Sequence, residues 1–294
     1  MGHRPKIIAE IGCNHKGEMA IAKEMIGIAA HFCKADYVKF QKRSNRELLT
    51  PEQYSSPHPN PINAYGDTYG AHREYLEFSV DQHRELKAYC DDMGIGYATS
   101  VWDTTSAKQI AGIGPDFIKI PSATNQHYEL IGYLCDEFGG DIHASLGMTT
   151  REEEEKLVKF VEDKGRAKSL ILYSCTSGYP VPFEDLCLRE ITRLIESHGE
   201  KVKAIGFSGH HLGIAADIAA QTLGAQWIER HFTLDRTWKG TDHAASLEPD
   251  GVRRIVRNSD AVAKALTYRD QELLDIELPQ RNKLKWGEFN KAGQ

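Results

Sequence analysis

Apolar residues along this chain come in short runs, each followed by a longer amphipathic stretch. Eight runs read as buried strands: residues 7–12, 37–42, 96–101, 117–122, 141–147, 170–175, 203–209 and 227–232. Short runs of this kind, bounded by turn-forming residues, favour strand over helix. Helical spacing of apolar positions appears over residues 19–31, 81–93, 151–164, 184–197 and 212–223, with a last helical stretch at 249–266. Eight strand-then-helix units in 294 residues predict an α/β fold, a single-domain (β/α)8 TIM barrel over residues 1–267. Residues 268–294 form a tail too short for a second domain. A doubly wound open sheet is the runner-up. Its usual nucleotide signal is missing, because Gly12-Cys-Asn-His-Lys-Gly17 does not fit G-x-G-x-x-G. Residues 43–78, rich in Pro, Asn, Tyr and Gly, read as a long loop of the lid or binding type.

Strand side chains alternate between faces. Trp227, Glu229 and His231 therefore share one face, and Ile228, Arg230 and Phe232 the other. In barrels of this class the chemistry sits at the C-terminal strand ends. There the first strand delivers Glu10, then Asn14 and His15; the second Lys39 and Gln41; the third Thr99 and Ser100. The fourth gives Lys119 and Ser122, the fifth His143 and Ser145, and the sixth leads into Ser177 and Tyr179. The seventh gives Ser208 and His210, and the eighth Glu229 and His231.

Charge inside a strand is costly unless paired, bonded or holding a metal. Lys39 and Lys119, with Ser100, Ser122, Ser145, Ser177 and Ser208, make a cationic cup rich in donors. It suits a small substrate carrying phosphate and carboxylate. Two other readings stand beside it: each lysine pairs with a barrel carboxylate such as Glu229, or one lysine forms a Schiff base. His210 and His231 end consecutive strands, which lie about 4.8 Å apart, within reach of one ion. Two imidazoles completed by water or oxygen suit manganese, iron, cobalt or zinc, and magnesium where water dominates. The neighbouring His211 would point the other way and be structural.

Composition narrows the partners. A formal charge of −6 with no dense basic run argues against nucleic acid and anionic membrane. No apolar run approaches the ~20 residues of a membrane span, and the start of the chain is read as carrying no signal peptide. Six scattered cysteines without Cys-x-x-Cys spacing read as reduced thiols in a cytoplasmic setting. Cys175 alone falls near the predicted site, and packing is its simplest role.

Seven segments, in order, carry a resemblance: Ile8-Ala-Glu-Ile-Gly-Cys-Asn-His-Lys-Gly17, Val38-Lys-Phe-Gln41, Ile118-Lys-Ile-Pro-Ser122, Ser145-Leu-Gly-Met148, Cys175-Thr-Ser-Gly-Tyr-Pro180, Gly206-Phe-Ser-Gly-His210 and Glu229-Arg-His-Phe-Thr-Leu-Asp235. Together they resemble the sialic acid synthase family over nearly the whole chain. The resemblance implies condensation of phosphoenolpyruvate with N-acetylmannosamine or a related aldose, releasing phosphate. It implies that Lys39, Lys119, Ser122, Ser145 and Ser208 hold phosphoenolpyruvate, joined by Ser100, Ser177 and Tyr179. His210 and His231 would bind a divalent metal, manganese first, with magnesium or cobalt as alternatives. Glu10, Gln41 and Asp242 would contact the sugar, with Glu10 moving protons.

Family members usually carry a further antifreeze-like domain that supplies an arginine near the sugar's acyl group; this chain stops before it. Three readings stand for that contact: Arg73 or His72, in a stretch that also resembles the family, takes it over, the substrate differs, or the sequence is a fragment of a longer chain. A homo-oligomer is left open. Two alternatives remain: synthesis of another nonulosonic or ulosonic acid, and a non-catalytic barrel that only binds sugar or phosphate.

Overall fold

The computed structural model describes residues 4–287. Eight parallel strands close on themselves in sequence order, β1 to β8, with β8 paired back to β1. They are β1 (Lys6–Gly12), β2 (Tyr37–Lys42), β3 (Gly96–Val101), β4 (Phe117–Ile120), β5 (Asp141–Ser145), β6 (Leu170–Cys175), β7 (Ala204–Gly209) and β8 (Trp227–His231). The α/β barrel expected from the apolar rhythm is therefore present, and the open sheet is excluded. Strands β4 and β5 end two residues earlier than the apolar runs suggested. Pro121 has no N–H for the ladder, and Ser122 opens a short 3-10 turn.

Helices cover the outside: α1 (Met19–Ile28), α2 (Asn45–Leu48), α3 (Pro51–Ser55), α4 (Tyr69–Tyr75), α5 (Val80–Met93), α6 (Thr104–Ala111), α7 (Tyr128–Glu137), α8 (Arg151–Asp163), α9 (Glu190–His198), α10 (Ala215–Thr222), α11 (Pro249–Ala265) and α12 (Leu278–Leu284). Local chemistry starts many of them. Ser79 caps α5 by accepting from Gln82 N, and Thr150 caps α8 the same way from Glu153 N; both complete a capping box. The α6 and α7 helices, 8 and 10 residues long, escaped the sequence reading. So did the structure within 43–78. Expected as loop, it holds α2, α3 and α4 and returns Phe78 to the core, where its ring stacks on His15 at 4.0 Å.

Two apolar layers result. Outward strand faces pack on the helices, as with Ile228, Phe232 and Ile255. Inside the lower barrel, Ile8, Phe117, Ile171, Tyr173 and Trp227 fill the axis. Polar side chains collect above this plug, at the C-terminal strand ends. The six cysteines are all free thiols. Among the described residues no helix is long and apolar enough to cross a membrane.

Candidate active site

One cavity of about 470 Å³ opens at the C-terminal mouth, and every residue singled out as catalytic, substrate-binding or metal-binding lines it. Glu10 and Gln41 come from β1 and β2, next to Lys39; Ser100 from β3; Lys119 from β4, with Ser122 just beyond it. Ser145 ends β5, Ser177 and Tyr179 follow β6, and Ser208 and His210 close β7. Glu229 and His231 come from β8, Asp242 from the loop after it, and Arg73 from α4.

The floor is an ion network. Lys39 Nζ lies 2.6 Å from Glu10 Oε2 and 3.6 Å from Glu229 Oε1, and it donates to Ser100 Oγ at 2.6 Å. Lys119 Nζ lies 3.0 Å from Glu229 Oε2 and 3.5 Å from the centre of the Tyr173 ring. Two lysines thus face two carboxylates, all buried. The reading in which each lysine pairs with a barrel carboxylate is borne out, and the cup is charge-balanced before any ligand enters. Burial pushes the Glu229 carboxyl up, but Lys119 and Lys39 outweigh it and hold it well below the usual carboxylate range. Burial also raises Glu10, and there the opposing pull of Lys39 does not prevail. Burial lowers Lys119 from its ordinary value despite Glu229. For Lys39 the same burial is overcome by Glu10 and Glu229, and its pKa rises.

Gly12 sets the Glu10 position. It sits at the bulge where the β1–β2 register shifts, with φ at +55°, and a Cβ there would come within 3.2 Å of both Glu10 Oε1 and Gln41 Nε2. Gln41 Nε2 donates to Glu10 Oε1 at 3.2 Å. On the opposite wall Ser122 Oγ accepts from Gly147 N at 3.0 Å, beside the Ser177 hydroxyl.

His210 and His231 stand with ring centres 5.4 Å apart. With metal–nitrogen bonds of about 2.1 Å, two imidazoles sharing an ion need centres on the order of 5 Å apart. His210 Nδ1 donates to the Thr176 carbonyl oxygen at 2.9 Å. In the neutral ring that leaves the lone pair on Nε2. Burial, reinforced by His231, lowers His210 to about 4, so it is neutral at pH 7. His231 Nδ1 is buried without a hydrogen-bond partner, its nearest carboxylate being Asp242 Oδ2 at 3.8 Å. The neutral His210 ring and the orphaned His231 nitrogen fit a divalent ion. Among the described residues no set of three or more His, Cys, Asp or Glu side chains is arranged to hold one, so oxygens of water or substrate would complete the shell.

Two other histidines resolve differently. His211 points away, as expected, and accepts from Arg230, whose guanidinium is anchored by Asp217. His143, offered as a strand-end polar group, lies one layer down in the plug. It stacks on Phe117 at 3.7 Å and meets the Tyr173 hydroxyl at 2.8 Å, outside the cavity. The sequence reading missed Arg43, Cys13 and Trp102, which line the outer end of the cavity. Arg43 directly follows the last residue of β2, and that position was its one legible signal.

Fold and cavity define a parallel (β/α)8 barrel with a charge-balanced, hydroxyl-lined site at its mouth. The NeuB family profile matches residues 25–271. The chain is 37% identical over 283 residues to the N-acetylneuraminate-9-phosphate synthase of Homo sapiens, covering 95% of this chain and 76% of that protein. It is 31% identical over 261 residues to the N,N'-diacetyllegionaminic acid synthase of Campylobacter jejuni, covering 88% and 77%. The crystal structure of the N-acetylneuraminic acid synthetase of Leptospira borgpetersenii with citrate superposes with a TM-score of 0.80 at 28% identity, covering 97% of this chain and 94% of that one. The chain belongs to the NeuB family, that of the sialic acid synthases.

Proposed function

We propose that this chain condenses phosphoenolpyruvate with an N-acylated aldose of the mannosamine type, giving a nonulosonic acid and inorganic phosphate. The observation that carries the reading is the convergence of two lysines, two carboxylates and two histidines on one hydroxyl-lined cavity. Related proteins are named as synthases of sialic and legionaminic acids, which supports the product class.

Lys39 and Lys119 would hold the anionic groups of phosphoenolpyruvate, with the hydroxyls of Ser100, Ser122, Ser145, Ser177 and Ser208 around them. Tyr179 would close the wall beside His210, its ring 4.3 Å away. Gln41 and Asp242 would orient the sugar. The enol carbon attacks the aldehyde carbon, forming the new C–C bond and leaving positive charge at C2. Glu10 and Glu229 are placed to steady that charge. Water adds at C2, and the tetrahedral intermediate breaks its C–O bond to phosphate. Glu10, raised by burial, is the group suited to pass the proton. His210 and His231 would hold a divalent ion, manganese first, whose chemistry when bound is to polarise the sugar aldehyde.

Phosphate release from phosphoenolpyruvate, followed against a panel of aldoses with and without EDTA, tests the reading. Release that needs both an N-acylated aldose and the metal is expected. No release with any aldose overturns it and favours a barrel that only binds.

A further inference from the structure

Asp242 rides on the long connection between β8 and α11, residues 232–248. The base of this loop is bonded inside the fold. Asn14, buried in the turn after β1, donates to the Phe232 carbonyl and to Ser246 Oγ, both at 2.9 Å. Ser246 Oγ in turn donates to the Asp242 carbonyl at 2.7 Å.

The stretch just before Asp242 is held differently, by the loop after β2. The Tyr65 hydroxyl donates to the Lys239 carbonyl, and Gly240 N donates to Asn63 Oδ1 at 3.3 Å. The Lys239 ammonium lies 5.0 Å from the centre of the Tyr65 ring, and Lys16 covers Trp238 at 4.2 Å. Gly240 permits the turn: its φ is +148°, and a Cβ there would come within 2.6 Å of the His243 ring. The loops after β2 and β8 leave strands on either side of β1, which carries Glu10, so they meet beyond its end.

Tyr65 is itself firmly seated. Its ring stacks on Tyr75 of α4 with centres 5.1 Å apart, and its N–H donates to His72 Nδ1 at 3.1 Å. Burial, with Tyr75 and Glu18, pushes its hydroxyl up to about 12, so at neutral pH it remains a donor. Tyr65 and Asn63 lie outside the cavity lining, whereas Thr241 and Asp242 belong to it. A bond from Tyr65 thus fixes the backbone three residues ahead of the Asp242 carboxylate without touching a substrate. The anion cup is built otherwise. Lys39, Ser100, Lys119, Ser145 and Ser208 stand on strands, where the barrel ladder fixes their backbone. The two substrates would therefore feel a loosened loop unequally. We infer that Tyr65, with Asn63, is a positioning residue that clasps the loop after β8 and sets Asp242 for the aldose but not for phosphoenolpyruvate. This rests on the condensation reading.

Steady-state rates in Tyr65→Phe test it, with manganese, phosphoenolpyruvate, and N-acetylmannosamine or its 6-phosphate, whichever the wild type turns over. The variant keeps the stacked ring and loses one hydrogen bond. KM for the aldose should rise roughly 3- to 10-fold, the worth of one such bond, while KM for phosphoenolpyruvate holds within about twofold. In an Asp242→Asn background the same change should have little further effect on kcat/KM for the aldose, because residues acting through one group are not additive. No rise in the aldose KM, equal rises in both KM values, or a full Tyr65→Phe effect in the Asp242→Asn background overturns the inference. Amide hydrogen exchange over residues 233–247 of the unliganded protein keeps the two readings apart. It should quicken in Tyr65→Phe and in Asn63→Ala, with β1 unaltered. Unchanged exchange sinks the clasp, whatever the turnover. Faster exchange with no turnover of any aldose sinks the condensation and leaves the clasp standing.

Discussion

Lys119 and Glu229 meet at 3.0 Å from strands β4 and β8, which lie opposite each other in the ring of eight. The contact spans the barrel mouth and fixes the height at which the apolar plug gives way to chemistry. Glu229 also lies 3.6 Å from Lys39, so one carboxylate serves both lysines.

Glu229→Gln should therefore cost more than a surface pair would. It leaves Lys39 with Glu10 and takes from Lys119 the carboxylate it is paired with. Removing one partner of a buried pair costs about 3–5 kcal/mol. Urea unfolding should show a loss of that order, and phosphoenolpyruvate should stabilise the variant more than the wild type by supplying the missing anion. Unchanged stability would mean that the network carries little energy.

His231→Ala should remove metal-dependent phosphate release while the fold survives, because the ring sits at the cavity wall rather than in the plug. Losing a residue that merely supports a ligand costs about 10–100-fold, so losing the ligand itself should cost more. Rates near wild type in this variant, measured at saturating manganese, would break the assignment of the metal to this pair.

Stability should fall steeply in mild acid. His15 and His83 are lowered to about 3 and His210 and His243 to about 4, each chiefly by burial. These groups are buried and neutral when folded, with an ordinary value of 6.5 when unfolded. The unfolded chain thus binds more protons between those limits, and stability present above pH 6.5 is lost as pH falls toward 4. Each group contributes a slope of about 1.4 kcal/mol per pH unit. Unfolding free energies at pH 7.5 and 5.5 should differ by several kcal/mol; a flat profile would contradict the buried, neutral assignment.

Gly147→Ala should damage the anion cup without touching a charged group. An added Cβ would collide with the Ser177 hydroxyl and come within 2.8 Å of Ser122 Oγ. Those hydroxyls must swing away, so KM for phosphoenolpyruvate should rise by roughly tenfold, the worth of about one hydrogen bond. An unaltered KM would show that these serines do not face the substrate.

Sequence read this site well where a local rule governs it. The two-residue period of a strand placed Lys39 with Gln41 and Glu229 with His231 on inward faces, and all four line the cavity. It failed where the period was silent about depth. His143 and Ser145 share a face of β5, yet only Ser145 reaches the mouth, because two residues of rise separate plug from cavity. It failed also in 43–78, where turn-forming composition hid three short helices and the buried face of α4 that carries Arg73.

By itself the sequence determined the eight-unit rhythm, the inward faces and the identities of the polar side chains that line the cavity, since these follow from chain periodicity and side-chain chemistry. Only the tertiary structure decided which charges cancel: Lys39 with Glu10, Lys119 with Glu229 across the ring, and, among the described residues, Arg73 with none. Ring closure brings residues 110 positions apart into contact, and no local pattern encodes which buried cation is left without an anion.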